Sequence, residues 1–254
     1  MHKSLNIFAA VTVTALALSS AVDPAKAAVI NWGSPVTIAG ASDVVTEGTL
    51  YASANFGPGS NATVNGVVFD AFPVSGTSST VGNITLTSSA LSGFTYSPPS
   101  TTTSPYVDLP LDYRNMLTPF AYTDIQSQQA TVSGLTIGGT YAIQFWVQDP
   151  RAEFGARTVT VGSQTLDVNT TDADGGLGQW VLGQFIADAT TQSFNVGPGP
   201  GGPSPATYAN AMQVRIVPEP MQMVSVAAIG SALGMMWRMR KLRRNGRDSD
   251  ATAC

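Results

Sequence analysis

Residues 134–149 read GLTIGGTYAIQFWVQD, and the second half of that stretch decides the fold class. Successive side chains of a strand point to opposite faces. Extended, this stretch puts Tyr141, Ile143, Phe145 and Val147 on one side and Ala142, Gln144, Trp146 and Gln148 on the other. The first set is a core face. The second places a tryptophan between two glutamines, the pattern of a face open to water or ligand. Gly138-Gly139 leads the chain into the strand and Asp149-Pro150 leads it out.

Working outward, Met212, Val214 and Ile216 repeat the alternation against Gln213 and Arg215. Residues 180–187 are blurred, with Val181 and Phe185 on one side and Trp180, Leu182, Gln184 and Ile186 on the other. That strand is expected to be buried on both faces. Further strands are expected at 29–32, 50–56, 63–69, 83–87, 130–135, 157–161, 164–168 and 191–196. Turn signals such as Gly57-Pro58-Gly59, Gly162-Ser163 and Asp174-Gly175-Gly176 punctuate the chain. No amphipathic helical period is seen before residue 221. The fold class is all-β, a sandwich of two sheets sharing a core. Segment 98–129 is the exception. Its Pro/Thr/Ser part, 98–105, reads as a loop, and 109–117 as one or two helical turns covering an open end of the sandwich. The run GPGPGGPSP (197–205) reads as a loop between the last two strands.

Both ends carry addresses. Lys3 followed by an apolar core at 7–18 and Ala25-Lys26-Ala27 fits a signal peptide over 1–27, with the mature chain starting at Ala28. At the other end Val217-Pro218-Glu219-Pro220 precedes the apolar run 221–237. The basic cluster Arg238, Arg240, Lys241, Arg243 and Arg244 and the tail 245–254 follow. Seventeen helical residues rise about 25 Å, the short limit for a hydrocarbon core of roughly 30 Å. The basic cluster belongs on the cytoplasmic side. One C-terminal transmembrane helix is therefore expected, with the exported domain occupying 28–216.

Composition excludes several function classes. Between residues 28 and 220 lie thirteen carboxylates and only four positive side chains (Arg114, Arg151, Arg157 and Arg215), a net charge of −9. Such a surface repels nucleic acid. The only histidine is His2 and the only cysteine is Cys254. The domain thus lacks a disulfide, a thiol nucleophile, an imidazole base and soft-metal ligands. Asp149 with Glu153, or Asp108 with Asp112, could form the carboxylate pair of a glycoside hydrolase. Thirteen acids supply such spacings by chance. No serine sits in a G-x-S-x-G elbow, and no glycine-rich phosphate loop precedes a helix. The chain reads as a non-enzyme.

The C-terminal order of motif, helix and basic cluster over 217–244 resembles the PEP-CTERM sorting signal of Gram-negative bacteria. That resemblance implies Sec export, a transient stay in the inner membrane, cleavage near the motif by exosortase, and delivery to the cell surface or matrix alongside exopolysaccharide. Residues 134–149, with Asn210-Ala211-Met212-Gln213-Val214-Arg215-Ile216, look like the central and closing strands of galactose-binding-like and malectin-like jelly rolls. Ile30-Asn31-Trp32-Gly33 and the Asn65-Gly66-Val67-Val68-Phe69 hairpin region are similar to those of secreted PEP-CTERM proteins of about this length. The implied fold is a jelly-roll β-sandwich.

Two binding sites are expected. Saccharide faces stack on aromatic rings while amide and charged groups take the hydroxyls. That points to Trp146 with Gln144 and Gln148, joined by Gln213 and Arg215 if the two strands are neighbours, and by Asp149 and Arg151 at the strand exit. The alternative is that segment 98–129 covers Trp146, making a second small core. Asp167, Asn169, Asp172 and Asp174 offer hard oxygen ligands for calcium ahead of Gly175-Gly176, without the full EF-hand pattern. Otherwise they form an acidic solvent loop and no cofactor is needed. A spacer module without ligand is the remaining reading.

Overall fold

The computed structural model describes residues 28–200 and 205–218. The expected leader 1–27, and the expected sorting signal from Glu219 onward with its tail, lie outside them. No helix among the described residues is long and apolar enough to cross a membrane.

In chain order the strands are β1 (Asn31–Trp32), β2 (Val36–Thr37), β3 (Thr49–Phe56), β4 (Ala62–Val64), β5 (Val67–Phe72), β6 (Ser75–Val81), β7 (Ile84–Thr95) and β8 (Pro119–Asp124). They continue with β9 (Gln128–Ser133), β10 (Thr140–Val147), β11 (Thr158–Val161), β12 (Gln164–Asp167), β13 (Gln179–Ile186), β14 (Thr191–Pro198), β15 (Ala206–Ala209) and β16 (Ala211–Ile216). One α-helix, α1 (Leu111–Leu117), interrupts them. The first sheet runs β1-β13-β10-β16-β3-β5-β4, with β2 also on β13; the second runs β12-β11-β14-β9-β7-β8-β15, with β6 also on β7. Pairing is antiparallel except between β3 and β5. The β4–β5 hairpin closes on Asn65-Gly66, both at positive φ. A two-residue turn matched to strand twist requires that conformation.

The main core joins Ile143, Phe145 and Val147 of β10 and Val181 and Phe185 of β13 to Ile84 and Leu86 of β7 and Phe194 and Val196 of β14. Tyr141 belongs to the same cluster, so the apolar face of 141–147 lies where its alternation places it. The fold is thus a sandwich-like pair of sheets around one core, as the patterning requires.

The opposite face of β10 follows the second of the two readings, in which segment 98–129 covers Trp146. Every residue from Tyr141 to Pro150 is buried. Trp146 lies in a second apolar cluster with Phe69, Val64, Tyr113, Met116 and Leu117. Its Nε1 donates to Tyr113 Oη at 3.1 Å, and its ring meets Phe69 edge-on at 5.6 Å. Helix α1 presents Tyr113, Met116 and Leu117 to this cluster and leaves Asp112 and Asn115 outside. That is the i, i+3, i+4 spacing of one helical face. The Thr118 hydroxyl closes the helix by donating to the Arg114 carbonyl at 2.7 Å, and Pro119 prevents its continuation. The helical turns therefore cover the outer face of the first sheet, not an open end of the sandwich.

Other boundaries also moved. On β13, Val181, Gly183 and Phe185 are buried, whereas Gln184 is exposed and Ile186 is 62% exposed, so only its Trp180–Leu182 part is covered on both sides. Segment 98–129 contains strand β8, and β15 falls between the run 197–205 and the last strand. The second cluster is a structural element: Trp146→Ala will destabilise the domain by about 3–5 kcal/mol in urea unfolding. A cost below about 1 kcal/mol would show that the ring is not held as described.

Candidate functional site

On the second sheet, β7, β8 and β15 assemble a row of rings. Phe94 stands opposite Phe120, and Tyr122 stands opposite both Ser92 and Tyr208. Residues directly paired in this way share one face of a sheet. Tyr96, just past β7, stacks on Phe120 with ring centroids 4.2 Å apart and planes 11° from parallel. Phe94 is 48% exposed and Tyr122 half-buried, while Phe120 and Tyr208 form the floor.

The chain leaving β10 supplies the wall. Asp149 is fully buried and receives both Arg151 Nε and Nη2, each at 2.8 Å. A paired fork of this kind fixes the guanidinium plane. A short 3-10 turn, Ala152–Phe154, then brings Phe154 beneath two cations. The Arg151 guanidinium lies 4.4 Å from the Phe154 ring centroid and that of Arg157 lies 3.8 Å away. Arg157 Nη1 donates to Tyr208 Oη. Rings and arginines enclose an open cavity of about 300 Å³. A second cavity of about 390 Å³, lined by Pro98, Ser100, Glu153 and Asp174, adjoins it and shares Ser97 and Arg151.

Burial works against the charge on Arg151, but its hydrogen bonds to Asp149 and the attraction of that carboxylate prevail and raise its pKa. Arg157 differs. Burial dominates and its pKa falls below the ordinary arginine value. Burial also pushes the Tyr96 hydroxyl well above its usual range, so it stays neutral and donates to the Gln148 carbonyl.

Of the residues expected to contact a glycan, only Arg151 lines this cavity. Strands β10 and β16 are neighbours, with Gln144 opposite Gln213. Their polar side chains nevertheless hold protein rather than face solvent. Gln144 Nε2 donates to the Asp43 carbonyl at 2.7 Å and its Oε1 accepts from Val45 N at 3.1 Å. Gln213 Nε2 donates to Gln144 Oε1 at 2.8 Å and to the Val45 carbonyl at 3.0 Å. Arg215 donates to the carbonyls of Thr46, Glu47 and Gly48. Gln148 Nε2 donates to Gly176 O at 2.7 Å, and Gly178 N donates to its Oε1. With Trp146 fully buried, the expected open face is closed, because burying these four polar side chains demands a partner for each.

Three of the four calcium candidates use side-chain oxygens on protein donors. Asp167 Oδ1 accepts from Asn169 N at 2.9 Å. Asn169 is buried, accepts from Thr171 N and Oγ1, and donates to the Ala173 and Arg151 carbonyls. Asp174 Oδ1 accepts from Ala152 N at 3.1 Å. Asp172 sits at φ 55° with its backbone against Gly155. Among the described residues no group of three or more His, Cys, Asp or Glu side chains could hold a metal ion. Three of these side chains brace the loop behind the cavity instead. An ideal Cβ on Gly176 would come within 1.6 Å of Asn169 Oδ1, so only glycine fits there.

The rings and Arg157 were missed as a site. Their signal is the pair of F-x-Y steps at Phe94-Thr95-Tyr96 and Phe120-Ala121-Tyr122, each putting two rings on one strand face.

No family model matches the chain, and the search of curated proteins found no match. One solved structure, described as "Structural basis for the promiscuous specificity of the carbohydrate-binding modules from the beta-sandwich super family", aligns at 13% identity. The alignment covers 67% of this chain and 95% of that one, at a TM-score of 0.16. A superposition that loose carries no argument.

Burial raises the Asp167 carboxyl pKa, outweighing the lowering by Asn169 N–H. The folded chain holds this proton more tightly than the unfolded one, so the group costs stability as pH rises through the carboxylate range. Asp167→Asn retains the acceptor oxygen. It will raise the melting temperature at neutral pH, and the gain will vanish below the ordinary carboxylate value of 3.8. Melting curves from about pH 3 to 7 check this; an equal gain at both ends contradicts it.

Proposed function

We propose that this chain is an exported, non-catalytic β-sandwich of jelly-roll type that associates with a glycan through the aromatic cavity beside Arg151 and Arg157. The observation that carries this is the cavity itself. Two ring edges and faces, Phe94 and Tyr122, remain accessible above a buried aromatic floor, and the wall offers guanidinium and hydroxyl donors. Saccharides present apolar C–H faces and a rim of hydroxyls, which rings and fixed polar groups recognise together. The floor is already packed and the Arg151 fork already paired, so little ordering is lost on binding. Exopolysaccharide is the partner class, and no metal or cofactor takes part in the reading.

The same proposal covers delivery. The order Val217-Pro218-Glu219-Pro220, apolar run and basic cluster supports Sec export, a temporary inner-membrane anchor and exosortase processing. The last described strand ends at Ile216, and Val217 N still donates to the Thr140 carbonyl at 2.9 Å. A cut beyond Pro218 therefore leaves the described sandwich whole.

Two experiments test the two halves. Phe94→Ala combined with Tyr122→Ala will weaken retention on the host's exopolysaccharide about tenfold or more. Folding is checked by the melting temperature; unchanged retention of a folded double variant removes the cavity from the reading and leaves a spacer. Mass spectrometry of protein from intact cells and medium will find a chain beginning at Ala28 and ending in or just beyond 217–220. Full-length chain in the inner membrane contradicts the sorting half.

A further inference from the structure

Four arginines lie among the described residues, and in three of them Nε donates to a protein acceptor. Arg114 Nε donates to the Leu109 carbonyl at 3.1 Å. Arg151 forks onto Asp149. Arg215 donates to three carbonyls and to Gln213 Oε1. Arg157 stands apart. It is only 4% exposed, it has no carboxylate partner among the described residues, and its Nε is buried without an acceptor there. Of the five N–H donors of a guanidinium, one reaches protein, at Tyr208 Oη.

A buried cation without a counter-charge is expensive to keep. In the local packing its charge is met by ring faces alone. The Phe154 and Tyr208 rings flank the guanidinium at 3.8 and 5.6 Å, contacts that hold its plane and leave donors on its edge. That edge borders the cavity, whose lining carries two arginines and no Asp or Glu. The carboxylate behind it, Asp149, is already paired with Arg151. Asp124, which accepts from the Tyr122 hydroxyl, and Glu153 both lie exposed at the rim, where water screens them. The cavity is thus a cationic spot in a domain of strongly negative net charge.

We infer that the saccharide unit seated in this cavity is acidic, its carboxylate or sulfate meeting the Nη2 end of the Arg157 guanidinium; this rests on the glycan reading above. A planar fork matches two anionic oxygens at once, which a hydroxyl does not. The sugar face lies over Phe94 and Tyr122, and the next unit of the polymer crosses Ser97 and Arg151 into the adjoining cavity. The acid group supplies the counter-charge that the fold withholds. The surrounding negative charge disfavours free anions, so the acid is taken only where ring stacking adds to it.

Titration calorimetry with tetragalacturonate, its methyl ester and a sulfated galactose tetrasaccharide tests this. The ester keeps ring shape and removes the charge. At least one anionic probe should bind about tenfold or more tightly than the ester, the scale of a charge-assisted pair. Arg157→Gln should erase that difference, and Arg157→Lys should restore part of it. Because the wild-type cation is unpaired, Arg157→Gln should melt at or above the wild-type temperature, which a merely structural arginine would not allow. Equal binding of acid and ester, or a preference that survives in Arg157→Gln, overturns the inference and leaves the glycan reading standing. Failure of every probe while exopolysaccharide is still retained through Phe94 and Tyr122 overturns the inference alone. Failure of both removes the two together.

Discussion

The rest of the structure depends on strand β10 having no solvent face. Residues Tyr141 to Pro150 are all buried, although Gln144, Gln148 and Asp149 are among them. A buried amide or carboxylate without a partner costs more than most single contacts return. Each of these side chains therefore fixes another part of the chain. Gln144 holds residues 43–45, Gln148 holds 176–178, and Asp149 holds Arg151. Trp146 does the same for helix α1 through its indole N–H and the Tyr113 hydroxyl. The outer face of the first sheet becomes a second core because its central strand cannot be left half wet.

That arrangement moves any ligand surface elsewhere. With the first sheet roofed, accessible rings gather on the β7–β8–β15 ribbon of the second. The link between the two is the exit of β10. Asp149 sits on the buried strand and aims Arg151 at the ribbon. Asn169 and Asp174 hold the backbone of the same loop from behind, by way of the Arg151 carbonyl and the Ala152 N–H. Residues that looked like metal ligands therefore act on the cavity through the loop they brace. Among the buried side chains left with an unpaired atom (Asn55, Gln128, Arg157, Trp180 and Gln192), Arg157 is the one that carries a full charge. Natural domains keep such unsatisfied groups at sites where activity needs them and stability does not.

Much of the architecture was legible from period-two patterning. The core face of β10 and the alternation of β16 follow from side-chain type and the pleat, whereas the single strand expected over 63–69 is broken at Asn65-Gly66 into β4 and β5. The neighbouring of β10 and β16 was a condition the sequence left open, and the register of Gln144 with Gln213 met it. Strands β6 and β8 were not legible. The first is mostly serine, threonine and glycine, with little apolar signal. The second begins on a proline inside a segment dominated by loop residues. The F-x-Y steps were visible, but two residues of aromatic alternation do not distinguish a core strand from an exposed row.

What the sequence determined by itself is the class of fold, the charge, and the missing thiol and imidazole chemistry of the domain. These follow from composition and local order, which no packing can change. Tertiary structure decided which polar groups are free. The Gln-x-Trp-x-Gln face has ligand-like chemistry, yet the capacity of its two glutamines is consumed by backbone that is distant in sequence. Arg157 looked unexceptional until the structure showed it buried with no carboxylate beside it. Availability is a property of neighbours in space, and single-chain patterning carries no information about residues a hundred positions away.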